Sequence, residues 1–192
     1  MTEKMTLVLA SASPRRQELL RQIGCDFRVV VSDAQELSES GMAPERMAVE
    51  NARRKAEDVA MREGGTVPVL GADTVVAVDG IILGKPKDEA DAARMLRLLS
   101  GRRHFVYTGI AFAYRGEIYE HVEETTVWMD ELSDEEIVAY IATWEPMDKS
   151  GAYAVQGRAA KFIPRVEGSF SNVVGLPLHA VMKLAQKAGV LL

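Results

Sequence analysis

Cysteine is nearly absent: the 192 residues contain one, Cys25, so no internal disulfide can form and a reducing compartment is expected. Its setting, Ile23-Gly24-Cys25-Asp26 at the expected exit of a helix, reads as an inert thiol. Histidine is scarce too, and His104, His121 and His179 lack metal-ligand spacing. No segment approaches the ~20 apolar residues of a membrane span, and the short apolar run after Lys4 is no signal-peptide core. The expectation is a cytoplasmic protein, neither exported nor embedded. A basic excess is also missing: 23 Lys and Arg face 28 Asp and Glu, a formal net charge of -5. That balance disfavours wrapping a nucleic acid backbone. There is no G-x-x-x-x-G-K-[ST] loop, H-E-x-x-H pair, repeat, low-complexity tract or linker.

What is present is a hydrophobic fraction of 47%, enough for one well-cored domain over 1–192 or two small lobes sharing a sheet. Thr6 to Ala10 reads as a buried strand, followed by a helix capped by Ser13, opened by Pro14 and stopped at Gly24. Phe27 to Val31 is a second expected strand, and Ser32 to Met42 a loop. From Pro44 to Gly64 a helix carries an inward stripe of Ala48, Ala52, Ala56 and Val59, with Lys55 at the boundary of its two faces. An apolar strand, Val67 to Leu70, runs into Gly71-Ala72-Asp73-Thr74, the β-branched Val75 to Val78 and an Asp79-Gly80 turn.

Asp88 caps a helix with Ala92, Met95, Leu96 and Leu99 inward. A hairpin follows, Phe105 to Tyr114 and Glu117 to Met129, turning at Arg115-Gly116. Ser133 and Glu136 form a capping box for a helix carrying Ile137, Tyr140, Ile141 and Trp144. Short strands are expected at Tyr153 to Gln156 and Phe162-Ile163, and a last helix at Leu178 to Ala188. Early alternation of strands and helices with a long antiparallel pair in the middle predicts an α/β fold, a mixed sheet flanked by helices.

Leu9-Ala10-Ser11-Ala12-Ser13-Pro14-Arg15-Arg16 joins a buried strand to a helix start, where free N–H groups and the helix dipole favour an anion. Two hydroxyls and two guanidiniums stand there. They suit phosphate oxygens, and the arginines repel one another without an anion; the other reading is an N-cap serine followed by solvent-exposed arginines. Asp73 is expected at a strand end, where its carboxylate can hold a hard cation or take a proton from water, or else simply forms a turn. Lys85, in Gly84-Lys85-Pro86, reads equally as a surface lysine, and Lys55, on a helix with charged neighbours, reads so more readily still. Together, two arginines, two lysines, two serines and a carboxylate are what polyphosphate hydrolysis requires. Asp73-Thr74-Val75 lacks the second aspartate of a haloacid-type phosphatase, which argues against a phosphoryl-enzyme.

Five ordered motifs, LASASPRR, GADTVV, GKPKD, EPMDKSGAYAVQG and NVVGLPL, resemble the Maf family of house-cleaning nucleotide pyrophosphatases nearly end to end. The resemblance implies an elongated sheet fold of the Maf and inosine-triphosphatase type, a divalent metal (Mg2+ or Mn2+), a cytoplasmic location, a homodimer, and cleavage of a nucleoside triphosphate between its α and β phosphates. It also implies roles: Asp73 as proton acceptor, Ser11, Ser13, Arg15, Lys55 and Lys85 around the triphosphate, and Glu36 with Asp73 near the metal, although Glu36 reads equally as a solvated loop residue. Arg16, Thr74 and Gln156 match the branch acting on dTTP and UTP rather than the one acting on 7-methyl-GTP. Trp144 stands where the family has a small residue, and is expected to end its helix as a buried residue rather than to stack on a base. The family's association with septum formation adds a second implied function, a non-catalytic nucleotide-binding regulator of cell division.

Overall fold

The computed structural model describes residues 4–38 and 41–192. Seven strands form one mixed sheet in the order β2-β1-β3-β5-β6-β7, with β4 also paired to β3. The strands are β1 (Leu7–Leu9), β2 (Phe27–Val29), β3 (Val69–Val78), β4 (Ile81–Leu83), β5 (Arg103–Tyr114), β6 (Glu117–Trp128) and β7 (Arg165–Glu167). The β1 contacts, to β2 and β3, are parallel; the other pairs among the described residues are antiparallel. The helices are α1 (Pro14–Gln22), α2 (Pro44–Arg62), α3 (Glu89–Leu99), α4 (Asp134–Ile141), α5 (Phe170–Val174) and α6 (Leu178–Lys187). Among the described residues no helix is long and apolar enough to cross a membrane.

Successive side chains of a strand point to opposite faces, and β3 uses its two faces differently. Val69, Gly71, Asp73 and Val75 face α2; Leu70, Ala72, Thr74 and Val76 face the larger core, which gathers Leu19 and Leu20 of α1, Leu96 and Leu99 of α3, Ile137 of α4 and Val181 of α6. The α2 side is built from Ala48, Ala52, Ala56 and Val59, all fully buried. Glycine makes this contact possible: a Cβ on Gly71 would collide with the Ala52 carbonyl, and one on Gly109 with the Ala48 backbone. With no side chain between them, helix and sheet lie backbone to backbone.

The second asymmetry is in length. Strand β1 pairs with β3 only at Val69 and Leu70, and β4 pairs only at Val76, Ala77 and Val78. Between them, among the described residues, the edge of β3 from Gly71 to Val75 has no strand beside it. Asp73 therefore lies mid-strand, opposite Gly109 of β5, and not at a strand end as its sequence setting suggested. An acid survives there because its edge is open and α2 supplies it with partners.

Other expectations hold or change for local reasons. Asp88 caps α3, and Ser133 with Glu136 closes the capping box of α4. Ser13 stands at the N-cap of α1 but its side chain makes no cap bond; its own N–H donates to Ser11 Oγ. Strands at Tyr153 to Gln156 and Phe162-Ile163 do not form. That region holds 3-10 turns at Ser150–Ala152 and Arg158–Phe162, because its backbone donors go to side chains: Ala154 N–H to the Tyr140 hydroxyl and Arg158 N–H to the Glu145 carboxylate. Strand β7 and the short α5, capped by Ser169, were not expected. Trp144 is no buried helix end: it follows α4 in the left-handed region at φ 61° and is 66% exposed. Cys25 is buried, and that burial pushes its thiol pKa up, consistent with an inert thiol.

Candidate active site

Where β3 runs unaccompanied, a cleft of about 1510 Å3 opens. Its lining includes Ser11, Ser13, Arg15, Arg16, Glu36, Lys55, Asp73, Thr74, Lys85 and Gln156, every residue assigned a catalytic, phosphate, metal or selectivity role from the sequence. All five motifs contribute to it. Segments as far apart in sequence as Ala10 and Gly175 thus converge because each ends, turns or crosses at the gap between β1 and β4.

At the α2 side, one ammonium joins two carboxylates. Lys55 Nζ lies 2.6 Å from Glu36 Oε1 and 2.9 Å from Asp73 Oδ1, with the Ala72 carbonyl at 3.4 Å. Burial pushes the Glu36 carboxyl pKa up, but the hydrogen bond and charge of Lys55, joined by Lys85 and Arg16, outweigh it and hold the group below its ordinary value. Asn51, one turn before Lys55 on α2 and buried, donates to Asp73 Oδ2 at 3.0 Å. The same amide accepts from Leu37 N–H at 2.7 Å and donates to its carbonyl, so it ties the Glu36 loop to Asp73. Sequence reasoning missed Asn51; its signal is a polar residue set inside the alanine stripe of α2.

On the opposite face of β3, Arg16 is buried, and each of its three guanidinium nitrogens donates a hydrogen bond. Its Nε donates to Gly175 O at 2.8 Å, Nη1 to Ser11 Oγ at 2.9 Å and Nη2 to Thr74 Oγ1 at 3.1 Å. Thr108 donates its proton to Asn172 O, so the 2.9 Å contact between Thr74 and Thr108 hydroxyls is donated by Thr74. Arg16 is therefore not a solvent-exposed arginine: it locks the turn after β1 to β3 and to the end of α5. Burial lowers its pKa, against the attraction of Asp73, yet a guanidinium stays charged. Its three partners are all neutral.

Arg15 is half-buried, while Lys85 and Gln156 are exposed, and none of the three makes a side-chain hydrogen bond to a described residue. The wall facing them is carried by Ser150, whose hydroxyl donates to Thr74 O at 3.1 Å and so occupies the open strand edge. Lys149 pairs with Asp148, beside it. Glu145 accepts from Tyr140 at 2.8 Å and from Arg158 N–H, which fixes the loop presenting Gln156. Ser150 and Glu145 also escaped the sequence reading, although both lie in one of its motifs.

A profile of the Maf family, described as Maf-like protein, matches residues 6–188. The chain belongs to the Maf family. A relative from Geotalea uraniireducens (strain Rf4), called dTTP/UTP pyrophosphatase, is 51% identical over 191 residues, 98% of either chain. Another of that name, from Thermococcus gammatolerans (strain DSM 15229 / JCM 11827 / EJ3), is 53% identical over 180 residues, covering 94% of this chain and 95% of the relative. The Staphylococcus aureus Ham1 protein superposes with a TM-score of 0.54 at 15% identity, covering 95% of this chain and 99% of that one. At that identity it speaks for the fold alone, and the α/β fold of this Maf chain agrees with it.

Chemically, the cleft divides into two zones. One is acidic and hard-oxygen in character, with Asp73 and Glu36 sharing Lys55. The other is cationic: Arg15, Arg16 and Lys85 have no carboxylate within ion-pair distance among the described residues. Unneutralised cations at the start of α1 call for an anion, and an acidic corner next to them calls for a cation or a proton.

Proposed function

We propose that this Maf-family protein hydrolyses dTTP and UTP, with modified pyrimidine triphosphates, to the monophosphate and pyrophosphate. The observation that carries the reading is the cleft itself, in which a buried, doubly held carboxylate, Asp73, stands beside a zone of unpaired cations. Relatives about half identical over nearly their whole length and named dTTP/UTP pyrophosphatase support the choice of reaction.

In this reading the triphosphate lies along the turn from Ser11 to Arg15, where backbone N–H groups, the Ser13 hydroxyl and the Arg15 guanidinium meet its oxygens. Lys85 approaches from the β4 side and Lys55 from α2. Water attacks the α phosphorus as Asp73 accepts its proton; the bond from that phosphorus to the bridging oxygen breaks, and pyrophosphate departs with the electron pair. Asn51, itself fixed to Leu37, keeps the Asp73 carboxylate from rotating.

The donor set fits a hard divalent cation. Asp73 and Glu36 offer two carboxylates to one cation, and no group of three or more His, Cys, Asp or Glu able to hold a metal occurs among the described residues. Two protein oxygens completed by phosphate and water match the way Mg2+ is usually held. Bound there, Mg2+ or Mn2+ supplies neutralisation of phosphate charge.

Gln156, with a donor and an acceptor on one amide, reads the uracil edge. Arg16 and Thr74 act on selectivity by holding the floor and the Ser11 turn in place, since each guanidinium nitrogen already donates within the fold and the Thr74 hydroxyl both accepts and donates. One domain over 1–192, a cytoplasmic location and a homodimer belong to the same proposal. The test is product identification: incubation with a nucleotide panel and Mg2+ or Mn2+ in 18O-water should give monophosphate carrying the label, plus unlabelled pyrophosphate. Diphosphate plus inorganic phosphate, or binding without turnover, would overturn it.

A further inference from the structure

Lys55 sits where a cation belongs. Its ammonium has three oxygens around it, from Glu36 at 2.6 Å, Asp73 at 2.9 Å and the Ala72 carbonyl at 3.4 Å. Carboxylate and carbonyl oxygens are also what a hard divalent cation takes. The arrangement is not a loose surface pair, because the side chains of Lys55 and Asp73 are each only 12% exposed. Nor can Asp73 easily turn away from it: Asn51 grips the other carboxylate oxygen and is itself fixed to Leu37. A divalent cation held by Asp73 and Glu36 would have to share those oxygens with an ammonium at contact range, and like charges so close repel strongly even when screened.

Lysine is suited to resolve the conflict by moving. Its charge is compact and rides on a flexible four-carbon stem, and Lys55 projects into the same cleft as Arg15 and Lys85. Building on the pyrophosphatase reading of this cleft, we propose that Lys55 is an internal counter-cation that fills the divalent-metal position of the free protein, and that it yields the position only when triphosphate oxygens offer it a new partner. Metal uptake is thereby coupled to substrate. The free protein keeps half the charge of its two carboxylates balanced without drawing on divalent ions, and the charge that leaves Asp73 and Glu36 is the charge that arrives on the phosphates.

The experiment is a titration of the nucleotide-free protein with Mn2+, followed by the electron paramagnetic resonance of the free ion. Wild type should bind weakly, and Lys55→Gln should bind roughly tenfold more tightly or better, since a unit positive charge at contact has been removed. The gain should vanish in Lys55→Gln combined with Asp73→Asn, and Lys55→Arg should remain weak. An unchanged affinity in folded Lys55→Gln would overturn the proposal. A measurement on wild type stands behind the variants: the Lys55 ammonium signal in a 1H–15N spectrum, assigned by its loss in Lys55→Arg, should stay in place when Mg2+ is added alone and shift when Mg2+ is added with a non-hydrolysable triphosphate. Displacement by Mg2+ alone would equally overturn it. None of these readings involves turnover, so their failure is separate from a failure of the pyrophosphatase reading, which is decided by products.

Discussion

Asn51 grips the oxygen of Asp73 that Lys55 leaves free, at 3.0 Å to Oδ2 against 2.9 Å from Lys55 to Oδ1. The two donors stand one turn apart on α2, and that helix lies close enough to reach a mid-strand acid only because Gly71 and Gly109 carry no Cβ. Packing and chemistry are therefore one arrangement. Replacing Asn51 by Asp should set a second carboxylate against Asp73, where like charges raise the pKa of one of them. The acidic limb of the pH–rate profile should move to higher pH, whereas a merely structural Asn51 would lower activity at every pH alike.

Asp73→Asn keeps the shape of the side chain but removes its basicity and its charge. Turnover should fall by ~10²-fold or more, the range expected for losing a general base, with circular dichroism unchanged. Turnover near the wild-type value at saturating Mn2+ would take the proton-accepting role away from Asp73.

Gly109→Ala tests the close approach directly. A Cβ there has no space short of the Ala48 backbone, and α2 cannot yield without moving Asn51 and Lys55 together. Overpacking of this kind costs about 1–3 kcal/mol or more, to be read from urea unfolding. Catalytic efficiency should drop alongside stability. A variant as stable as wild type would mean that helix and sheet separate freely, and the positional argument for Asn51 and Lys55 would fail with it.

How much of this was legible in the sequence depended on where a residue finds its partners. Stripes of one helix, such as Ala48 to Val59, and caps such as Ser133 with Glu136 declare themselves within a few residues. The cleft residues were readable too, since clustered hydroxyls and guanidiniums at a strand-to-helix junction have few uses. Asp73 was misplaced to a strand end because an acid in a β-branched run looks like punctuation, and what stabilises it lies on another element. The same cause hid the 3-10 turns after Ser150: Tyr153 to Gln156 has strand composition, but its Ala154 N–H goes to the Tyr140 hydroxyl and the Arg158 N–H just beyond it to Glu145, which no local pattern reveals. Trp144 holds a backbone conformation that favours glycine, against its own steric preference.

His104 gives the protein a pH dependence. It is completely buried, its Nε2 lies 2.6 Å from the Tyr153 hydroxyl, and burial lowers its pKa from 6.5 to about 4. In the unfolded chain it takes up a proton as pH falls through 6.5, while in the folded protein it does not until about 4. The unfolded state thus binds more protons in that window. Stability should be full above it and fall with acidification by up to ~1.4 kcal/mol per pH unit. Urea midpoints measured across the window should show the slope, and His104→Phe should flatten it even if the variant starts from a lower stability.

Selectivity should rest on Gln156, exposed at the cleft and free of side-chain hydrogen bonds to described residues. Its amide can meet the O4 and N3–H of uracil or thymine with a donor and an acceptor; cytosine presents the reverse pattern. A rotating amide can serve either, so discrimination requires the loop to fix it, and the loop has the means: Glu145 holds Arg158 N–H and Tyr140, while a Cβ on Gly157 would run into the Glu145 carboxylate. Leaving a donor or acceptor unpaired once the base covers it costs ~1–3 kcal/mol, so dTTP should exceed CTP by roughly ten- to a hundredfold in kcat/KM. Gln156→Ala should flatten that ratio and leave the pyrophosphate product unchanged. Glu145→Gln weakens the anchor without touching the base-reading amide, and should reduce the ratio through KM for dTTP with kcat largely kept. Equal efficiencies for all canonical triphosphates in wild type, or a preference for 7-methyl-GTP, would remove pyrimidine selectivity from the proposal while the cleavage chemistry stood.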